Sequence, residues 1–240
     1  MKRSDLTFTA ETAPHIEQLL ALSDTRLLGT EIYTYSELAR GNVYGQLWAG
    51  LDDAGRPVAA LLDNGQYRTF LTPSAAAVGQ TAAETADFFH APKRSECFRV
   101  MLKKTPDAAS APDVLRLEGG AILKTACVLR QRTLRPEEET RYVYYARAVN
   151  AGLADVFVLT DAAGNICGCA QIMAKNRRYA LIGNVYTVKR FRGQGVAGKL
   201  LAACEAQAAK EGLLPVLYCN KNMTSFYKAR GYRIVKKHDL

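Results

Sequence analysis

Two hundred and forty residues suffice for one large domain or two modest ones, and 48% apolar with 23% charged residues describes a chain able to bury a full core. No apolar run approaches the roughly 20 residues that cross a bilayer, and residues 1–6 are not followed by an apolar signal segment, so a cytoplasmic protein without a membrane partner is expected. The formal charge of +9 lies in small scattered clusters without a nucleic-acid-binding signature. It would draw a polyanionic cofactor or an acidic substrate equally well, and no nucleic acid partner is expected.

In chain order, the first readable element is a hairpin over residues 46–61, two apolar runs around an Asp-Asp-Ala-Gly turn at Asp52–Gly55. A third strand is expected at 67–71. A second hairpin of the same design runs from Val156 to Ala170 around Asp161 and Gly164, and again a third strand follows, at 179–188. This recurrence predicts two similar halves joined within 103–112, where Lys, Thr, Pro, Asp, Ala and Ser crowd together. The expected domains are therefore 1–110 and 111–240.

The C-terminal half reads as a helix over 136–150 with Glu137, Glu138 and Glu139 in its first turn, then strands at 155–160, 166–173 and 179–187. A helix over 195–210 shows Val196, Leu200, Cys204 and Ala208 at i, i+4 spacing, with Gly212 as its C-terminal cap. A strand at 213–219, a short helix at 223–230 and a strand at 232–235 complete a mixed α/β unit. Trp48 is expected in the core of the first half. The six cysteines are scattered; Cys167 and Cys169 sit in one strand and are expected to face the same side. With three histidines in the chain, no metal site is expected, and the cysteines read as buried thiols.

The sharpest feature is Arg190-Phe191-Arg192-Gly193-Gln194-Gly195-Val196-Ala197-Gly198, set between a strand end and a helix start. Glycines there let the backbone turn tightly and approach a ligand, while the first-turn N–H groups and the positive helix end converge on one spot suited to a pyrophosphate. A P-loop is absent. Gly193, Gly195 and Gly198 satisfy G-x-G-x-x-G, but the next strand ends in Tyr218-Cys219-Asn220 without a carboxylate for a ribose, and an antiparallel meander precedes the loop, so a dinucleotide fold is disfavoured.

The run 185–195, containing Arg190-x-x-Gly193-x-Gly195, resembles motif A of the GCN5-related N-acetyltransferase (GNAT) superfamily, [QR]-x-x-G-x-[GA]. Residues 220–232, with Asn220, Phe226-Tyr227 and Gly231-Tyr232, resemble its motif B. The two stand in the right order across a helix and a strand. The resemblance covers residues 115–240, and its upstream meander is most similar to the FR47-like branch. It implies a GNAT-like acyl-CoA N-acyltransferase fold, with the first half a degenerate copy, since 72–80 carries no R-x-x-G-x-G.

The resemblance further implies acetyl-CoA as cosubstrate and a primary amine of a small molecule, peptide or protein as acceptor. Backbone groups around Val185, Tyr186 and Thr187 are implied to meet the pantetheine and polarise the thioester. Arg190, Arg192, Gly193, Gln194, Gly195, Val196, Ala197 and Gly198 are implied to hold the pyrophosphate, with Asn220 near the pantetheine and Tyr227 near the sulfur as donor to the leaving thiolate. Family members often carry a carboxylate base on the strand before motif A; residues 179–187 contain none. Glu137–Glu139, Asp161, a water chain or no dedicated base stay open. A non-catalytic acyl-CoA-binding module is the second reading, and a homodimer is left open.

Overall fold

The computed structural model describes residues 7–9, 15–24, 27–39, 47–63, 68–71, 98–106, 113–117 and 145–238. The chain divides into two compact units, residues 1–96 with 240, and residues 97–239. Expectations for 72–80, for 136–144 with Glu137–Glu139, and for Cys97, Cys127 and His90 fall outside the described residues.

In the first unit, β1 (Thr7–Thr9), α1 (Ile16–Ser23) and α2 (Thr30–Ala39) precede β2 (Leu47–Leu51), β3 (Pro57–Asp63) and β4 (Arg68–Leu71). The four strands form one antiparallel sheet in the order β1-β2-β3-β4. Leu19 and Ile32, from the two helices, pack on Leu47, Ala49, Ala60 and Leu62. Trp48 lies on β2 facing away from those alternate residues and is half-buried rather than central to that core.

The second unit contains β5 (Phe98–Leu102), β6 (Val114–Leu117), β7 (Asp155–Thr160), β8 (Ile166–Lys175), β9 (Tyr179–Thr187), α3 (Val196–Lys210), β10 (Leu214–Asn220), α4 (Thr224–Lys228) and β11 (Arg233–His238). Residues 145–150 are helical. Among the described residues the sheet has seven strands, in the order β11-β5-β10-β9-β8-β7-β6. Pairing is antiparallel throughout except between β9 and β10, which are parallel and joined by the crossover helix α3.

β5 was hidden from sequence reading, because it lies beside the polar stretch taken as the joint between halves. It inserts between β10 and β11, with Val216 opposite Leu102 on one side and Arg233 opposite Leu102 on the other. β5 thus belongs to the second unit, which begins at Cys97. A buried ion pair, Lys103 Nζ to Glu205 Oε2 at 2.5 Å, ties the end of β5 to α3.

The amphipathic stripe on α3 behaves as its spacing dictates. Val196, Leu200, Cys204 and Ala208 are all buried, joined by Leu201, and pack on Phe157, Ala170, Ile172, Ile182 and Leu217 of the sheet. Leu200 and Leu201 are fully buried, each contributing about 1.5–3 kcal/mol. This fixes the start of α3 against the end of β9.

The two halves repeat at the level of single atoms. In the β2–β3 turn, Asp52 Oδ1 accepts from the amides of Ala54 (3.0 Å) and Arg56 (2.9 Å); in the β7–β8 turn, Asp161 Oδ1 accepts from Ala163 (3.0 Å) and Asn165 (2.8 Å). Gly55 N–H reaches the Asp52 carbonyl and Gly164 N–H the Asp161 carbonyl in the same way. Each hairpin also carries a register shift next to its turn.

The shift in the second hairpin reverses one expectation. Leu159 faces Gly168 and Thr160 faces Ile166, so Cys167 is the extra residue of a bulge. Alternation is broken there: Cys167 packs with the core beneath α3, whereas Cys169 packs with Val158, Tyr186 and Val188 on the other face. Cys167, Cys169, Cys204 and Cys219 are all buried free thiols.

Candidate functional site

The site begins where two parallel strands stop pairing. β9 and β10 match from Tyr179/Leu214 to Ile182/Leu217 and no further, although β9 continues to Thr187 and β10 to Asn220. The cause lies on the other side of β9. Cys169 faces Tyr186 while Gln171 faces Gly183, so β9 carries one extra residue there, a bulge containing Asn184. Asn184 has φ 50°, the one non-glycine among the described residues with positive φ. A bulge bends its strand and raises its twist, and β9 leaves β10 at this point.

The bend leaves backbone groups without a strand neighbour on one side. Val188 N–H bonds the Cys167 carbonyl, and Tyr186 is register partner to Cys169, so the peptide groups of Tyr186 turn toward β8. Alternation turns those of Val185 and Thr187 toward the vacated β10 side. The Tyr186 ring packs with Cys169 on the face away from α3. The Thr187 carbonyl accepts from Arg192 Nε at 3.3 Å.

The chain then makes a 3-10 turn, Lys189–Phe191, followed by Arg192 in extended conformation and by Gly193 and Gly195, both at φ 79°. A Cβ at either glycine would meet nothing within 4 Å, but an L side chain would be strained at that φ. Gly195 caps α3 without a side-chain cap, and Lys199 N–H takes its carbonyl. The N–H groups of Val196, Ala197 and Gly198 form the first helical turn, which has no i−4 carbonyl to donate to. Arg190 and Arg192 are exposed at its rim, Arg190 stacked on Phe191 at 4.7 Å, and Gln194 Nε2 folds back to the Arg190 carbonyl at 3.1 Å. Open glycine corners, free amide donors, a positive helix end and two guanidinium groups fit a pyrophosphate.

Asn220 ends β10, its backbone paired with Phe98 of β5 and its side chain exposed. Tyr227, on α4, is 8% exposed and sits edge-on to Phe226 (5.0 Å) and Tyr232 (5.9 Å). Burial pushes its hydroxyl up to about 12, the neighbouring Cys219 adds to this, and Arg230 opposes it. It thus serves both as a core aromatic and as the tyrosine of the motif.

Among candidate bases, Asp161 is committed to its own turn. Its carboxyl is held below the usual carboxylate range, first by the Asn165 side chain and backbone, which makes it a weak proton acceptor. Sequence reasoning passed over three residues beside this site: Gln171, Asn184 and Arg230. The first two carry no motif signal, because a bulge is invisible in periodicity. Arg230 lay within motif B, and Gly198, the last glycine of the loop, was its only other trace.

Comparison with known proteins bears on the family and the fold. Residues 152–234 match the family model of the acetyltransferase (GNAT) domain. Among solved structures, a Drosophila protein is similar over 98% of this chain and 97% of its own, with 14% identity and a TM-score of 0.64. A GNAT-family acetyltransferase from Colwellia psychrerythraea is similar over 97% of each chain, with 14% identity and a TM-score of 0.59. A tandem GNAT protein from the clavulanic acid biosynthesis pathway is similar over 97% of this chain and 96% of its own, with 18% identity and a TM-score of 0.57. At these identities the likeness is one of fold, and it extends over both units. No curated protein matches the chain in sequence. Residues 152–234 thus match the acetyltransferase (GNAT) domain model, and the fold of the chain is similar to that of GNAT structures, a tandem one among them.

Proposed function

We propose that the second unit transfers an acetyl group from acetyl-CoA to a primary amine of a small molecule or peptide. The observation that carries this reading is the parting of β9 from β10 after Ile182/Leu217, directly beside the glycine corners that open α3. The parted edge would hold the pantetheine as an added strand through Val185 and Thr187, and the first turn of α3 would hold the pyrophosphate. Arg190 and Arg192 supply charge, and Asn220 flanks the cleft.

In this reading the amine lone pair attacks the thioester carbonyl, and a β9 amide N–H stabilises the oxyanion. The C–S bond then breaks, coenzyme A leaves as the thiolate, and the ammonium proton passes to water. Tyr227 donates a hydrogen bond to the departing sulfur. With a hydroxyl near 12 against a thiol near ~8.5, complete proton transfer would be uphill by roughly 5 kcal/mol. Tyr227 therefore acts as a donor that keeps its proton. A cytoplasmic location goes with this reading; among the described residues no helix is long and apolar enough to cross a membrane.

The burial of Tyr227, with no carboxylate on β9, favours one second reading, an acyl-CoA-binding module without turnover. Calorimetric titration with acetyl-CoA, for the parent and for a Gly193→Asp/Gly195→Asp variant, tests the site first. Saturable binding by the parent that is lost in the folded variant is expected. No binding by the parent would sink both readings. Release of free thiol with a panel of primary amines then separates enzyme from binding module.

A further inference from the structure

A third guanidinium, to which the motif assigned no role, approaches the start of α3. The guanidinium of Arg230 lies between the ring of Phe226, 3.7 Å from its centroid, and the bare α-carbon of Gly198. The point where a Cβ of residue 198 would stand is 3.2 Å from Arg230 Nη2, 3.6 Å from Nε and 3.8 Å from Cζ. The guanidinium therefore occupies the room that a side chain at 198 would take. Side chains on a helix lean toward its N-terminus, so this room lies over the first turn of α3.

Two features make this placement unusual for a structural arginine. First, a cation at the positive end of a helix is opposed by the helix dipole. Second, among the described residues no carboxylate pairs with Arg230. Its interactions are the stack on Phe226, a hydrogen bond from Nη1 to the Phe226 carbonyl (2.9 Å), and the approach to Gly198. The stack and that bond fix the fork and leave Nη2 as its atom nearest to Gly198. A half-buried, oriented guanidinium beside the first turn of a helix is an arrangement that an anion completes.

Building on the proposed acetyl-CoA site, we propose that Arg230 contacts a phosphate of the cosubstrate from the α4 side, and that Gly198 is a glycine to leave it room. Arg230 then makes affinity depend on the phosphate-bearing end of the ligand, while the acyl end is read elsewhere. The pyrophosphate and the 3′-phosphate carry the same chemistry, and the choice between them falls to the experiment.

The test is calorimetric binding of acetyl-CoA and of its 3′-dephospho analogue to the parent and to Arg230→Met, Arg230→Lys and Gly198→Ala, each checked for an unchanged fold by circular dichroism. Arg230→Met should weaken acetyl-CoA roughly ten- to hundred-fold at about 0.1 M salt. That ratio should shrink at about 1 M salt, where the Debye length falls from about 10 Å to about 3 Å. Arg230→Lys should recover part of the loss. Gly198→Ala should weaken binding, because a Cβ 3.2 Å from Nη2 pushes the guanidinium out of its place.

If the ratio between parent and Arg230→Met persists for the dephospho analogue, the pyrophosphate is the contact; if it vanishes there, the 3′-phosphate is. Equal affinity of parent and Arg230→Met overturns the assignment. So does a loss of the same size at every salt concentration, which is the mark of a merely structural arginine. A parent that binds no acetyl-CoA overturns the proposed function itself, a result distinct from either of these.

Discussion

Asn184 Nδ2 donates to Gln171 Oε1 across β9 and β8 at 2.7 Å, and through this bond a buried glutamine holds the one described non-glycine residue at positive φ. Asparagine tolerates that conformation better than other side chains, because its short amide can bond locally. The pair sits at the bulge from which β9 turns away from β10, so it is a positioning device for the strand edge beyond it. Asn184→Gly should keep the bulge and acetyl-CoA binding. Asn184→Val, forced to the same φ, should lose about 1–2 kcal/mol in urea unfolding and bind acetyl-CoA more weakly. Gln171→Leu should cost about 1 kcal/mol, and its effect should not add to that of Asn184→Gly.

The ion pair between Lys103 and Glu205 gives a separate prediction about where the unit begins. Both groups are nearly excluded from solvent, at 9% and 3% side-chain exposure, and Tyr232 lies under Lys103 at 5.9 Å. Glu205→Leu alone takes the carboxylate from a buried ammonium and should lose about 3–5 kcal/mol, whereas Lys103→Met with Glu205→Leu should recover most of it. Urea unfolding of the three variants measures this. A fragment starting at residue 111 lacks β5 and leaves β10 and β11 without the strand between them; it should unfold at lower denaturant than one starting at residue 97.

These particulars show what could be read in advance. The twin turns at Asp52 and Asp161 announced themselves, because an Asx-type turn needs a short acceptor and a glycine at fixed spacing, and both are local properties of the chain. The glycine corners at 193 and 195 were legible for the same reason. β5 was not, because its place between β10 and β11 depends on pairing with segments more than 100 residues away, and nothing local marks it. The bulges at Cys167 and Asn184 were likewise hidden. Periodicity predicts which face a residue takes only while the ladder stays in register.

Alkaline pH should expose the buried tyrosines. Tyr227 is raised to about 12 by burial, and Tyr232 is raised further still, by burial and then by the Glu205 carboxylate. Both are neutral in the fold and ionise more readily when it opens. The stability they contribute is complete below about 10, the value of a solvated tyrosine, and is lost as pH rises through the folded value. Denaturant midpoints should therefore fall steadily above pH ~10. Absorbance at phenolate wavelengths should show two tyrosines ionising only with unfolding, and Tyr232→Phe should flatten the decline. Two tyrosines titrating freely below that pH would contradict the burial.

Replacing Tyr227 separates a donor to the leaving group from a core aromatic. Phenylalanine keeps the ring contacts with Phe226 and Tyr232 and removes only the hydroxyl, so Tyr227→Phe should fold normally and bind acetyl-CoA as the parent does. If the hydroxyl donates to the departing thiolate, kcat should fall by roughly 10²-fold with little change in the KM for acetyl-CoA. The remaining rate should show no new dependence on pH between neutrality and about 10, because a hydroxyl near 12 stays protonated across that range. Steady-state release of free thiol, followed across pH with an accepted amine, measures both quantities. An unchanged kcat would reduce Tyr227 to a core aromatic and leave the oxyanion contact on β9 as the main contribution of this chain to the reaction.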